Sequence, residues 1–254
     1  AAGSPCDRFR VTDVAGNASS DTITVLLDPD APTVGFDSYD HPTNTAYSGK
    51  PLASGRYVHG SGTLHGTAVD NSSVQSVEIS VDGGSFVDSG AAAGASVSWS
   101  YTLGGLSEGT HSVVARVTDD SVPSNINTTS IQLEVDNTSP TLSGLSAELT
   151  DGSATGYLHG DVEVSGSAQD AAAGVESVAL TVEEPSGDGP ESLVWDGSEA
   201  FSAAWDTETL PANAGSPVVA ADGIVLAAAV TDGAGNQLEA SSLVNVRPYI
   251  SSLG

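Results

Sequence analysis

Aspartate and asparagine recur at equivalent positions along this chain, and their side-chain oxygens are the chemically useful groups. They lie in two similar proline-containing segments, 28–33 and 136–141, and directly after several runs of alternating apolar residues. Carboxylate and amide oxygens are the ligands that Ca²⁺ prefers, since it takes roughly six to eight oxygens. The candidate calcium ligands are Asp28, Asp30, Asp70, Asp119, Asp120, Glu108, Asp136, Asn137, Asp170, Asp232 and Asn236.

The overall charge excludes several classes of partner. The chain of 254 residues has 33 acidic against 6 basic side chains, which gives a formal net charge of -27 at pH 7. Proteins neutralise nucleic-acid phosphates with clustered Lys and Arg, and the basic residues here are scattered. We therefore expect no nucleic-acid partner and no electrostatic anchor on anionic lipid.

The apolar content predicts a folded, non-membrane chain. Hydrophobic residues make up 39% of it, which is enough for packed cores. We expect neither a membrane span nor a signal peptide, because no apolar run approaches about 18 residues. The single cysteine, Cys6, excludes an internal disulfide framework and a thiolate metal cluster.

Catalytic motifs are absent, so the sequence predicts a protein that is not an enzyme. None of the common hydrolase, metalloprotease or nucleotide-binding signatures occurs in a meaningful context. Among the histidines, His59 and His159 occupy equivalent repeat positions, which favours a structural role for both. Trp99 and Trp205 are predicted core residues, whereas Trp195 is the one aromatic considered for a ligand-binding face.

Internal repeats divide the chain into modules. Val11–Asn17 resembles Val230–Asn236, and Tyr57–Gly60 resembles Tyr157–Gly160. The two proline-containing segments each follow the last strand of one module and open the next. The predicted layout is the C-terminal hairpin of a partial module at 1–28, followed by complete modules at 29–137 and 138–254.

Each complete module offers about seven short strands and no convincing helical period, which predicts an all-β antiparallel sandwich. Residues 37–57 are an insertion before the second strand, and residues 183–222 form a longer acidic stretch in the last module. The predicted strands of the first complete module are Pro32–Phe36, Gly62–Val69, Val74–Val81, Val97–Leu103, Thr110–Val117 and Thr128–Val135, with an irregular one near Ser85–Val87.

Several of these runs resemble a known family. The runs GTAVDNSSVQSVEISVDGGSF and GTHSVVARVTDD, with the joints LLDPDAPT and EVDNTSPT, are similar to the bacterial and archaeal immunoglobulin-like repeats of large surface proteins and adhesins. The resemblance implies tandem immunoglobulin-like antiparallel β-sandwiches, located outside the cell or on its surface. Relatives of this module carry calcium at their joints, which implies the same here.

Immunoglobulin-like topology would gather the candidate ligands at two joints, because the B–C and F–G loops lie at the same pole as the N-terminal linker. Several carboxylates in one place need a cation, separation or protonation, since two charges about 4 Å apart cost roughly 4 kcal/mol at an effective dielectric near 20. The first joint would gather Asp28, Asp30, Asp70, Asn71, Asp119, Asp120 and Asn125. The second would gather Asp136, Asn137, Asp170, Asp232 and Asn236, with Glu108 in reach.

Two alternative roles for the acidic residues stay open. Asp and Asn serve turns through Asx hydrogen bonds, which accounts for Asp13, Asn17, Asp119 and Asn236 individually. The acidic residues could also form the solvated surface of a salt-adapted protein, since a net charge this negative would keep a protein soluble at high salt.

The predicted function is a non-catalytic stalk, filament or surface-lattice element whose module joints are stiffened by Ca²⁺. The alternative is a spacer or carbohydrate-binding accessory region of a secreted polysaccharide-degrading enzyme. Expected partners are neighbouring modules of a longer chain or other copies, by strand complementation through residues 8–27, and surface glycans. Four sequons, which begin at Asn17, Asn71, Asn127 and Asn137, permit glycosylation.

Overall fold

The computed structural model is built almost entirely of β-strands. It describes residues 6–24, 28–150, 157–183, 191–193, 200–207 and 221–246. The predicted all-β class is confirmed. Among the described residues, no helix has the length and apolar character needed to span a bilayer.

A two-stranded antiparallel hairpin comes first, formed by β1 (Cys6–Thr12) and β2 (Ala18–Thr24). The following strands form one continuous sheet system: β3 (Thr33–Asp40), β4 (Lys50–Pro51), β5 (Arg56–Val58), β6 (Thr63–Val81), β7 (Val87–Asp88), β8 (Gly94–Thr102), β9 (Gly109–Asp119) and β10 (Ile126–Val135). The predicted irregular strand near Ser85–Val87 corresponds to β7.

Strand β6 links the two layers of this first sandwich. Residues 63–69 pair with β3 and β8, whereas residues 74–81 pair with β9 and β7. The prediction of two separate strands at Gly62–Val69 and Val74–Val81 was therefore wrong: the backbone stays extended between them. The pairing register shifts between Val69 and Val74, and this irregularity leaves room for Asp70 to accept local hydrogen bonds.

The second sandwich also has two layers, but here the layers are two separate sheets. One has the order β11-β12-β15, and the other has the order β14-β13-β16-β17. The strands are β11 (Thr141–Leu149), β12 (Asp161–Gln169), β13 (Val175–Glu183), β14 (Glu191–Leu193), β15 (Ala200–Asp206), β16 (Ala221–Asp232) and β17 (Gln237–Val246).

Each sandwich has its own hydrophobic core. The first includes Leu64, Ile79, Trp99 and Leu133, and the second includes Leu180, Trp205 and Leu226 together with their neighbours. Trp99 and Trp205 are only 3% and 1% exposed, so the prediction that both are core residues is confirmed. The predicted module boundaries at 28/29 and 137/138 stay predictions.

The insertion at 37–57 extends β3 and adds further structure at the pole that faces the second sandwich. Pairing with β6 continues to Asp40 across a register shift between Phe36 and Ser38, so β3 is longer than the predicted Pro32–Phe36. A 3₁₀ turn at Thr45–Tyr47 follows, capped by the Asn44 side chain, which accepts a hydrogen bond from the Ala46 amide. Strand β5 then runs parallel to β10.

Candidate metal centre

Three aspartates from separate elements converge at the first joint. Asp28 lies in the linker, Asp70 in the irregular part of β6, and Asp119 at the end of β9. One carboxylate oxygen from each lies within 4.8 Å of the other two. Asp70 and Asp119 are 6% and 0% exposed. We refer to Asp28, Asp70 and Asp119 as the first triad.

Two oxygens of the first triad are buried without a hydrogen-bond donor. Asp70 Oδ2 accepts from the Ser72 and Ser73 amides at 2.8 and 3.0 Å and from the Ser72 hydroxyl, but its Oδ1 has no partner. Asp28 Oδ2 is likewise buried and unpartnered. Buried carboxylate oxygens without donors are costly, so the arrangement fits a bound cation.

The Asp119 carboxylate is held by its own turn. It accepts hydrogen bonds from the Ser121 hydroxyl at 2.7 Å and from the Asn125 amide and side chain, both at 2.8 Å. Burial alone would raise the pKa of Asp119, but these donors together outweigh it and hold the pKa below the usual range. The Asp119 carboxylate is therefore ionised at neutral pH, and its own turn holds it in position.

Asp136, Asp170 and Asp232 repeat the arrangement at the second joint. One oxygen from each again lies within 4.8 Å of the other two. Asp136 accepts from the Thr138 amide at 2.9 Å and the Ala173 amide at 3.0 Å, so it joins the linker to the second sandwich. We refer to these three residues as the second triad.

The second triad is electrostatically strained in the absence of a cation. Burial, augmented by the nearby Asp136 charge, raises the pKa of Asp232 to about 6, against the opposing effect of donors from Asn236 and Ala234. The pKa of Asp136 is also raised, chiefly by burial and further by Asp170 and Glu108. A divalent cation would relieve this cost by neutralising the carboxylates.

Two asparagines tie the triads to their linkers. Asn125 Nδ2 donates to the main-chain carbonyls of Asp28 and Asp30 at 2.9 and 3.1 Å. Asn236 Nδ2 donates to the carbonyls of Asp136 and Thr138 at 2.9 and 3.3 Å. Asn236 therefore acts here as a positioning residue.

The remaining candidate ligands lie near the joints but outside both triads. The Asp30 carboxylate accepts from Asn71 at 2.6 Å. Asp120 is exposed, and its amide donates to the Ser73 carbonyl. Glu108 accepts from the Asn137 amide at 2.8 Å, and the Asn137 side chain bonds Gly60 and Leu106. These contacts fasten the linkers to the first sandwich.

Turn chemistry accounts for part of this geometry. In the hairpin, Asp13 accepts from the amides of Ala15 and Asn17 and from the Asn17 side chain, all while exposed. An Asp–Asn turn therefore forms without other carboxylates beside it. The same turn bonding accounts for Asp119 and Asp232, but it leaves the unpartnered oxygens of Asp28 and Asp70 unexplained.

The sequence interpretation missed the part that the insertion plays at the second joint. His41, Asn44 and Tyr47 reach the Asp232–Asn236 turn of the other sandwich. The periodic pattern contained no signal for this contact, since it depends on how two modules meet. Trp195, the candidate ligand-facing aromatic, lies outside the described residues.

Comparison with known proteins confirms the predicted resemblance for one part of the chain. Residues 51–115 match the family model of the bacterial Ig domain, a segment that runs from β4 into β9 of the first sandwich. No curated protein matches the chain. The match supports a structural or accessory surface module.

The solved structures that match the chain do so at low sequence identity and low TM-score. A tetra-tandem repeat from the extending region of a large adhesion protein is 23% identical with a TM-score of 0.30, over 94% of this chain and 55% of that one. Domains A168–A170 of titin are 9% identical with a TM-score of 0.42, over 93% and 73%. Dimeric latent PorU from Porphyromonas gingivalis is 12% identical with a TM-score of 0.35, over 91% and 22%. The chain thus spans about a fifth of PorU and about half of the adhesion-protein structure.

Proposed function

We propose that this chain is a non-catalytic structural segment of an extracellular bacterial surface protein, in which Ca²⁺ stiffens the joints between modules. The observation that carries the proposal is the convergence of three carboxylates at each of two equivalent joints. At the first of them, two buried oxygens lack any donor. The bacterial Ig domain match supports the structural class, since that family is typically non-catalytic.

Electrostatics favours a cation at both joints. Two carboxylates 4.8 Å apart repel by about 3 kcal/mol at an effective dielectric near 20, and each triad contains three such pairs. The described chain offers no Lys or Arg in ion-pair contact with either triad. A bound divalent ion would turn this repulsion into a cross-link between linker and sandwich.

The donor set favours calcium over other metals. Both triads offer oxygen ligands only, whereas zinc sites in proteins are built mainly from Cys and His. Mg²⁺ demands near-ideal octahedral geometry, while Ca²⁺ accepts the irregular cages that loops and linkers provide. Carboxylates from three elements, completed by water, suit the larger ion.

Small-angle scattering of the full chain tests this function. We expect an extended, stiff particle in Ca²⁺ and a more flexible one in EDTA, with the apparent melting temperature falling in EDTA. A variant with both Asp28→Ala and Asp136→Ala should scatter in Ca²⁺ as the wild type does in EDTA. Identical scattering and melting of the wild type in Ca²⁺ and EDTA would contradict the proposal.

The hairpin supports association with further strands. Among the described residues, β1 pairs only with β2, and Val11 is 73% exposed. An isolated two-stranded ribbon is marginally stable and leaves open edges. We propose that a neighbouring module of a longer chain or another copy completes it. Concentration-dependent association that Val11→Lys abolishes would identify another copy, and a monomer at every concentration would exclude it.

A further inference from the structure

The insertion of the first sandwich contacts the same turn that carries the second triad. Asn44 Nδ2 donates to the Gly235 carbonyl at 3.0 Å. Lys50 Nζ lies 3.7 Å from Glu176 Oε1, at the start of the second sandwich's β13. These two contacts, one from a side chain to the main chain and one between opposite charges, join the insertion to the second sandwich.

Tyr47 is the centre of this contact. The residue is 4% exposed, and its hydroxyl lies 2.7 Å from Glu176 Oε2 while also contacting the Gly233 carbonyl oxygen. Arg56 Nη2 donates to the same hydroxyl at 3.1 Å. Burial and the Glu176 carboxylate both raise the pKa of Tyr47, so its hydroxyl stays a donor at physiological pH.

Glycine in the turn is required for this close approach. A Cβ on Gly235 would lie 2.4 Å from Tyr47 Cδ1, and the φ of this residue is 95°, in the left-handed region. The turn is thus shaped to accept the tyrosine ring.

His41 connects the insertion to the positioning residue of the second triad. Its Nδ1 accepts from the Asn44 amide at 2.9 Å, which places the proton of the neutral ring on Nε2, 3.4 Å from Asn236 Oδ1. Asn236 Nδ2 in turn donates to Asp232 and to the linker. The insertion and the triad therefore constrain one and the same asparagine.

At the first joint, the described bonds of the Asp119–Asn125 turn run to the linker carbonyls of Asp28 and Asp30 and to the Ser73 carbonyl. The two joints have similar triads but differ in what else holds them.

We propose that the insertion residues His41, Asn44, Tyr47 and Lys50 form a metal-independent latch that fixes the second joint without calcium and raises the calcium affinity of the second triad. Calcium at the second triad then adds to the stiffness that the latch already supplies. The affinity part rests on the proposed calcium function, whereas the latch itself does not. Coupling is reciprocal, because a contact that orders the turn favours the ion and the ion favours the contact.

Spin-label distance measurements on the full chain test the latch. In a Cys6→Ser background, the pair Ser98→Cys and Ala204→Cys reports on the second joint, and Ser19→Cys with Ser98→Cys reports on the first. In EDTA we expect a narrow distance distribution for the second joint and a broad one for the first. Tyr47→Ala should broaden the second distribution, whereas the exposed Thr45→Ala in the same 3₁₀ turn should not.

Calcium titration tests the coupling between the latch and the second triad, and a second Tyr47 variant guards against misfolding of the first. Calcium titration should show affinity at the second triad reduced about fivefold or more in Tyr47→Ala, with the first unchanged. If Tyr47→Ala perturbs the fold by near-UV circular dichroism, Tyr47→Phe decides, since it keeps the ring and loses only the hydroxyl contacts.

The latch and the calcium function fail in distinguishable ways. A broad second-joint distribution for the wild type in EDTA, or one that Tyr47→Ala and Tyr47→Phe leave unchanged, overturns the latch. Absence of calcium binding, with the second joint still broadened by Tyr47→Ala in EDTA, overturns the proposed function and supports the latch.

Discussion

The Asn236 side chain donates to the main-chain carbonyl of Asp136, which lies 100 positions earlier in the chain. Asn125 makes the same bond to the Asp28 carbonyl, 97 positions earlier. Each asparagine thus holds the linker that bears one triad carboxylate against the turn that bears another. The proposed ion site and the joint between modules are therefore one structure.

Asp28 and Asp30 are predicted to differ in their effect on calcium binding, although both lie in the same linker. Asp28→Ala removes a triad oxygen, so affinity at the first joint should fall by more than the roughly tenfold that losing a supporting contact costs. Asp30→Ala removes only the bond to Asn71 and should leave affinity nearly unchanged. Calorimetric titration of both variants checks this, and equal losses would contradict the assignment of the triad.

In calcium-free protein, the contribution of the second triad to stability is predicted to become more favourable on mild acidification. The raised pKa values of Asp232 and Asp136 mean that the folded state binds protons more tightly than the unfolded state, whose aspartates titrate near 3.8. The free-energy cost of ionising these two aspartates in the folded state is complete once pH is well above 6, and it disappears towards pH 4. Their contribution to the free energy of unfolding therefore rises by an amount on the order of 1–3 kcal/mol. Urea unfolding in EDTA between pH 4 and 7 measures it.

Calcium should reverse that pH dependence, because protons and the cation compete for the same oxygens. The control is Asp232→Asn, in which the acid-induced gain in EDTA should shrink. The lowered pKa values of Asp82 and Asp119 act below 3.8 and so fall outside this window. Burial lowers the pKa of His41 and His59, which opposes the gain inside the window, so the difference between the wild type and Asp232→Asn is the quantity to measure. The same pH dependence in both proteins would argue against a strained second triad.

His111 is predicted to contribute stability that disappears as pH rises. Its Nδ1 lies 2.7 Å from Asp82 Oδ2, and that bond raises the pKa of His111 above 6.5. The contribution is fully present below pH 6.5 and is lost as pH rises through the folded-state pKa. Because the pair is partly exposed, we expect less than about 1 kcal/mol. Nuclear magnetic resonance titration of the imidazole should show the pKa returning towards 6.5 in Asp82→Asn, and no change there would refute the pairing.

Gly66→Ala is predicted to destabilise the first sandwich by about 1–3 kcal/mol through overpacking. Its added Cβ would lie 2.1 Å from the Gly35 carbonyl oxygen and 2.2 Å from Trp99 Cζ2. The matched control is Gly35→Ala on the neighbouring strand, whose Cβ would enter open space and should cost little. Denaturant melts of both variants give the comparison, and equal stability would contradict the packing described here.

Much of the fold follows from local sequence pattern. Alternation at Leu64, Val77 and Leu133 places one face of each strand in a core, so strand positions could be predicted without knowing how strands pair. The continuity of β6 could not be predicted, because Asp70 and Asn71 are typical turn residues. In the structure, Asp70 satisfies its local bonds while the backbone remains extended.

The sequence could predict at which joints the candidate ligands gather, but not which of those residues form each triad. Asp28 and Asp30 are the same residue type two positions apart, and only the structure separates their roles: Asp28 belongs to the first triad, whereas Asp30 accepts from Asn71. The insertion was recognisable as an interruption of the repeat, but the docking of Tyr47 on Gly233 and Gly235 depends on the angle between two modules. No periodicity within one module carries that information.

Isothermal titration of the calcium-depleted full chain measures the proposed ion sites most directly. We predict saturable binding of Ca²⁺ at two triads, with dissociation constants in the range of roughly 10⁻⁴ to 10⁻³ M that extracellular modules show. Asp70→Asn and Asp170→Asn should each remove one site, and the double variant should remove both. No saturable binding, or binding that the double variant leaves unchanged, would contradict calcium at the joints.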